Sequence, residues 1–65
     1  MDLKDMIVAV VYQSPGGLGP AQIVEALAHR FDTQTTSKQV LQIVAKNPKL
    51  FVEIEGKIKS PQLPA

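Results

Sequence analysis

Few residues of this chain have the side chains that enzyme active sites require. Its one histidine, His29, stands four residues after Glu25 on a predicted helix, and the chain has no cysteine. Metal binding and nucleophilic catalysis need several such groups close together. A single solvent-facing histidine with an acidic neighbour on the same helix does not provide them. We therefore expect no enzymatic activity, no metal site and no cofactor.

Two other features have some likeness to catalytic or phosphate-binding motifs. Glu53 and Glu55 share one face of a predicted strand, where we expect Lys57 and Lys59 to neutralise them from across a hairpin. The glycine-rich residues 16–20 precede a predicted helix, but they lack the lysine and the hydroxyl residue of a phosphate-binding loop. We expect the carboxylates to be solvated and the glycine-rich segment to form a turn.

Polar and basic side chains along the third predicted helix are candidates for nucleic-acid recognition. Glutamine can form a bidentate pair with adenine, and lysine can reach guanine or phosphate. In a helix-turn-helix protein, such residues lie near the start of the helix that enters the major groove. The same residue types also suit an ordinary solvated helix face. The candidate nucleic-acid-binding residues are Thr35, Ser37, Lys38, Gln39, Gln42 and Lys46 on the helix, with Lys57 and Lys59 as backbone contacts from the hairpin.

A second set of residues suggests a protein-interaction surface. Val8 and Tyr12 lie four residues apart and off the main apolar stripe of the first predicted helix. Phe51 alternates with Leu50 and Val52, so it faces the other side of its strand. If they are exposed together, Val8, Tyr12 and Phe51 form an apolar patch for a protein partner or a second copy of the chain. Alternatively, the hairpin covers them, because a small domain needs its aromatic residues in the core.

Three amphipathic helices are predicted to position these candidates. The first spans residues 2–13, and the second begins at Pro20 and ends before residues 32–34. The third begins at a capping box formed by Thr36 and Gln39 and runs to about Lys46, where Asn47 and a proline stop it. The residues predicted to be buried are Leu3, Met6, Ile7, Val10 and Val11 in the first helix, Ile23, Val24, Leu27 and Phe31 in the second, and Val40, Leu41, Ile43 and Val44 in the third.

A β-hairpin is predicted after the helices. Leu50, Val52 and Ile54 alternate with Phe51 and two glutamates, residues 55–56 turn the chain, and residues 57–59 return. The apolar face must pack on the helices, because a two-stranded hairpin is not stable alone. Leu18 is expected to add a third, very short strand. The fold class is therefore mainly α with a small β-hairpin, a three-helix helix-turn-helix core followed by a C-terminal wing, which is the winged-helix arrangement.

Three parts of the sequence resemble a known group of winged helices. Residues 19–23 (GPAQI) resemble the opening of its second helix, and Val40 with Val44 resembles its apolar third helix. Residues 46–52 (KNPKLFV), followed by 56–58 (GKI), resemble its helix exit and wing. The chain is similar to the HARE-type helix-turn-helix of chromatin proteins, restriction-modification proteins and a bacterial RNA polymerase subunit. The resemblance implies binding of double-stranded DNA in transcription or chromatin, although this wing is shorter and more acidic than usual.

The composition of the chain bears on its affinity for nucleic acid and on its cellular location. The chain has 65 residues, and seven basic against six acidic residues leave a net charge of +1. Nucleic-acid binding by this domain alone should be weak and sensitive to salt. We expect residues 1–60 to form one domain and residues 61–65 to be a tail or linker within a larger or oligomeric protein. The absence of cysteine, of a signal peptide pattern and of an 18-residue apolar run predicts an intracellular protein with no membrane span.

Overall fold

The computed structural model describes residues 2–61 and contains three α-helices followed by an antiparallel hairpin. This helix-turn-helix core with a wing confirms the predicted fold class. Residues 62–65 of the predicted tail lie outside the described residues. The elements are α1 (Leu3–Tyr12), α2 (Pro20–Phe31), α3 (Ser37–Lys46), β1 (Val52–Ile54) and β2 (Lys57–Lys59).

Local capping interactions fix the starts of the first two helices. The backbone N–H of Asp5 donates to the Asp2 carboxylate at 2.9 Å, and this bond holds the pKa of Asp2 below its usual value. At α2, Pro20 occupies the first helical position, where a missing N–H leaves no bond unmade. The Gly19 N–H donates to Gln22 Oε1 at 2.9 Å. α2 therefore begins where the sequence predicts, and α1 begins one residue later than predicted, after Asp2.

A single apolar core joins the helices to the hairpin. In α1 and α2 the buried residues are among those predicted, and Leu3, Met6, Val24 and Phe31 pack partly buried around them. In α3 one prediction is wrong, because Leu41 is 39% exposed. At 100° per residue Leu41 lies at the edge of the arc centred on Val40 and Val44. The buried core residues are Ile7, Val10, Val11, Ile23, Leu27, Val40, Val44, Phe51 and Ile58.

The hairpin turns through Glu55 and Gly56, whose φ angles are 53° and 78°. Positive φ at both positions is the pattern of a type I′ turn, which suits the twist of two antiparallel strands. Leu18 bridges to Ile58 through two backbone hydrogen bonds of 3.0 and 2.7 Å, so a single-residue β-bridge occupies the position predicted for a third, very short strand. β2 therefore lies between Leu18 and β1, and it packs against α1.

The strand register corrects the predicted pairing of charges across the hairpin. Glu53 pairs with Ile58, whereas Lys57 and Lys59 pair with Ile54 and Val52. Paired residues share a face of the sheet, so the lysines lie on the opposite face from Glu53. The expected neutralisation of Glu53 by these lysines is therefore wrong, and within residues 2–61 no ion pair joins them.

The predicted orientation of the residues leading into β1 is also wrong. Phe51 is only 4% exposed, whereas Leu50 and Ile54 are 38% and 47% exposed. Leu50 ends a turn in which its N–H donates to the Asn47 carbonyl at 2.9 Å. The residues do alternate, but the buried side is that of Phe51 and not that of Leu50 and Ile54. The phenylalanine side chain buries more apolar surface than either aliphatic neighbour, which favours its placement in the core.

Candidate nucleic-acid interface

The connection between α2 and α3 is short and fixed by backbone and side-chain hydrogen bonds. Asp32 ends α2 in the left-handed region, with φ of 49°. The Thr33 N–H then donates to the Leu27 carbonyl at 3.1 Å, and its hydroxyl donates to the Phe31 carbonyl at 3.0 Å. These bonds set the direction in which the chain enters α3. The turn thereby positions the helix that carries most candidate residues.

The predicted capping box at the start of α3 is present. The Gln39 N–H donates to Thr36 Oγ1 at 3.1 Å, and the Thr36 N–H donates to Gln39 Oε1 at 3.2 Å. The Thr35 hydroxyl also donates to Gln39 Oε1, at 2.7 Å. The Gln39 side-chain oxygen is therefore occupied, and bidentate pairing with adenine would require these bonds to break. Thr35 and Gln39 consequently form hydrogen bonds at the N-terminus of α3 in this structure.

The remaining candidates on α3 lie together on its exposed side. Ser37, Lys38, Gln42 and Lys46 are all exposed. Residues three and four apart are neighbours on a helix surface, so Lys38 and Gln42 are adjacent, and Gln42 and Lys46 are adjacent in turn. Leu41 lies beside Lys38 on this side, although its apolar character predicts a buried position. Its position at the edge of the buried arc is the signal that could have identified it.

The charge distribution along the chain favours the same region for anion binding. No carboxylate occurs between Thr33 and Val52, a stretch that contains all of α3. Residues 33–61 contain five lysines and two glutamates, whereas residues 2–32 contain two basic and four acidic residues. The net charges are therefore +3 and −2 with neutral histidine. The small overall charge of +1 conceals this asymmetry.

The two wing lysines lie on the face of the hairpin that carries Val52 and Ile54, opposite the buried Ile58. Lys57 is exposed and Lys59 is half-buried. A Cβ atom built on Gly17 would lie 2.9 Å from Lys59 Cγ and 3.1 Å from Lys57 Cβ. The aliphatic stems of both lysines therefore pack on the Gly17 backbone. This packing leaves the ammonium groups at the ends of partly fixed side chains.

The structure keeps only part of the alternative protein-interaction surface accessible. Tyr12 is 69% exposed at the end of α1. Val8 is half-buried and packs against the core, and Phe51 belongs to the core. Of the two alternatives open for Phe51, the structure shows the one in which the hairpin places this side chain against the helices. Of the three residues, Tyr12 alone is exposed.

Neither a membrane-spanning helix nor a metal-binding cluster occurs in the part of the chain that the structure describes. Its longest helix has 12 residues, and no helix there combines the length and hydropathy that a bilayer span needs. His29 is exposed. Within residues 2–61, no group of three or more histidine or carboxylate side chains could hold a metal ion. Comparisons of the chain with protein-family models, curated proteins and solved structures find no match.

Proposed function

We propose that this domain binds nucleic acid, specifically double-stranded DNA, through the exposed side of α3. Helix-turn-helix cores place the second helix of the motif in the major groove, where lysine and glutamine contact bases and phosphates. Lys38, Gln42 and Lys46 would make the main contacts. Lys57 and Lys59 would contact the DNA backbone from the wing. Transcription or chromatin organisation is the biological setting that this activity favours.

The observation that carries the proposal is the absence of carboxylates from Thr33 to Val52. An ordinary solvated helix face normally mixes charges of both signs, whereas α3 exposes lysine and glutamine alone among its charged and amide side chains. Such a surface attracts phosphate and repels none. The resemblance to HARE-type helix-turn-helix domains supports the same function from the sequence.

The affinity of the isolated domain should be low. Few lysines can contact phosphate at once, and Glu53 and Glu55 lie exposed on the wing. Each phosphate that a lysine neutralises increases the binding constant, and this contribution becomes smaller as the salt concentration rises. Useful affinity would therefore require a second copy or a larger protein that links several binding modules.

NMR titration with a duplex of random sequence, at low and then moderate salt, tests the proposal. We expect shift changes on residues 35–46 and on Lys57 and Lys59, and these changes should fade as salt rises. An absence of shift changes at low salt would overturn the proposal. Changes concentrated on α1 would also contradict it.

Two charge reversals give a matched comparison. Lys38 and Lys4 each occupy the second helical position, in α3 and α1 respectively, and both are exposed or half-exposed. Glutamate is favourable near a helix N-terminus, so neither Lys38→Glu nor Lys4→Glu should unfold the domain. Lys38→Glu should weaken DNA binding and lower the salt-dependence slope by about one, whereas Lys4→Glu should leave the slope unchanged. Equal losses in both variants would show that net charge alone governs binding.

A second candidate function is docking to another protein, because Tyr12 is 69% exposed. A solvent-exposed aromatic side chain with a polar hydroxyl is typical of interaction surfaces. Since Tyr12 lies outside the core, Tyr12→Ala should leave the fold intact while it removes such an interaction. Lys38→Glu should weaken DNA binding and leave the protein interaction unchanged. A dimer of the same chain would be a special case, visible as a concentration-dependent mass that Tyr12→Ala abolishes.

A further inference from the structure

The exposed side of α3 carries two different chemical groups on consecutive residues. Gln42 presents an amide, and Leu41 presents an apolar side chain that is 39% exposed. Ala45, also exposed, lies four residues after Leu41 and therefore beside it on the helix surface. Leu41 and Ala45 together form a short apolar strip. Contacts with phosphate groups alone would leave this strip without a partner. The strip suggests contact with an apolar group of the ligand.

Gln42 is the glutamine of α3 that remains available for bases. Gln39 Oε1 accepts hydrogen bonds from Thr36 N and Thr35 Oγ1, at 3.2 and 2.7 Å. Gln42 takes part in none of the hydrogen bonds that fix the ends of α3. Its amide keeps both the acceptor and the donors that bidentate pairing requires. In the major groove, adenine offers the matching N6–H donor and N7 acceptor.

The apolar strip complements the partner of that adenine. Thymine is the base that presents a methyl group in the major groove, and apolar side chains contact it there. Resting on the proposed DNA-binding function, we infer that α3 selects a site containing A·T base pairs, with Gln42 paired to adenine and Leu41 against a thymine methyl. Lys38 and Lys46 flank these two residues and would fix the helix on the phosphates without selecting sequence.

The test compares two duplexes of equal length and charge, one with A·T pairs and one with G·C pairs at its centre, by fluorescence anisotropy at low salt. We expect the A·T duplex to bind about tenfold more tightly. The same A·T duplex with uracil in place of thymine, or with 7-deazaadenine in place of adenine, should lose this advantage. Each replacement removes one major-groove group and leaves the phosphates and the minor groove unchanged.

Matched variants assign the preference to side chains. Gln42→Ala should abolish the effect of 7-deazaadenine, whereas Gln13→Ala, at an exposed glutamine after α1, should preserve it. Leu41→Ala should abolish the effect of removing the thymine methyl. Leu50→Ala is its control, because Leu50 is almost equally exposed, at 38%, but lies outside α3.

The outcomes separate this inference from the function on which it rests. Equal binding of A·T and G·C duplexes overturns the inference and leaves the DNA-binding function standing. A preference for A·T that survives both base replacements also overturns it, because the contact would then lie outside the major groove. If no duplex binds at low salt, the proposed function fails and the inference fails with it.

Discussion

α3 and the wing both expose lysines, but only in α3 are the residues that stabilise the fold different from the residues that face solvent. α3 has ten residues, so Val40 and Val44 can face the core while Lys38 and Gln42 face solvent. Each strand of the wing has three residues, and the lysine stems themselves pack on the backbone of the glycine-rich turn. The exposed side of α3 should therefore accept substitutions that change binding alone. In the wing, substitutions at positions that contact the lysine stems should change the stability of the domain.

The largest difference in the free energy of unfolding is expected between substitutions at Phe51, just before β1, and at Ile54, at the end of β1. Phe51→Ala should cost about 3–5 kcal/mol, because it empties a core position. Ile54→Ala should cost less than about 1 kcal/mol, since Ile54 is 47% exposed. Urea unfolding followed by circular dichroism measures both.

Phe51→Ala could abolish folding of so small a domain, so Phe51→Leu provides a milder variant. It should lower the free energy of unfolding measurably while the domain remains folded. If Ile54→Ala proved more costly than Phe51→Leu, the observed orientation of the wing would be contradicted.

The next effect concerns the close approach of the wing lysines to the turn. Gly17 has φ of 88°, and a Cβ there would lie 2.9 Å from Lys59 Cγ. Gly17→Ala should therefore cost about 2 kcal/mol of stability. Gly16→Ala is the matched control, because a Cβ on Gly16 meets no atom within 4 Å and its φ is not positive. Thermal unfolding of the two variants compares them, and equal melting temperatures would refute the packing of the lysine stems on Gly17.

The helices illustrate how much of this fold the sequence predicts. Their bounds follow from local signals: Pro20 at the first position of α2, the Thr36 capping box and the stop at Asn47. Their buried faces follow from apolar spacing repeated over several turns. Leu41 is the exception because a residue at the edge of the apolar arc can be buried or exposed, and the neighbouring elements decide between them.

The wing shows where sequence reasoning fails. A three-residue strand offers one cycle of alternation, so the pattern cannot determine which face is buried. The neighbouring Leu50 and Phe51 are both apolar, and the turn through Asn47 determines where the strand begins. The turn lies at residues 55–56 as predicted and places Ile54 opposite Lys57, so the expected pairing of Glu53 with the wing lysines was wrong in its register and not in its turn. At the candidate site, the capping box of Thr36 and Gln39 follows from the sequence, but the further bond from the Thr35 hydroxyl to Gln39 Oε1 does not.

A smaller effect is expected at Thr36, the exposed residue that caps the start of α3. Thr36→Ala removes the acceptor of the Gln39 N–H and should cost about 1 kcal/mol. Ser37→Ala, one residue later, should change stability by less than about 0.5 kcal/mol, because Ser37 is exposed and lies inside the helix. Urea unfolding distinguishes them. Equal costs would imply that the capping box does not stabilise α3.

The smallest effect, and the one of opposite sign, is expected at the tip of the wing. Glu55 adopts φ of 53°, a conformation that costs a non-glycine residue energy and that asparagine tolerates better. Asn-Gly is the preferred pair in type I′ turns, so Glu55→Asn should raise stability by about 0.5–1 kcal/mol. Glu53→Asn removes the same charge from a strand position, where asparagine is disfavoured, and should give no gain. If both variants were stabilised equally, relief of charge repulsion rather than turn geometry would be the cause, whereas a gain at Glu55 alone would show that the turn limits the stability of the wing.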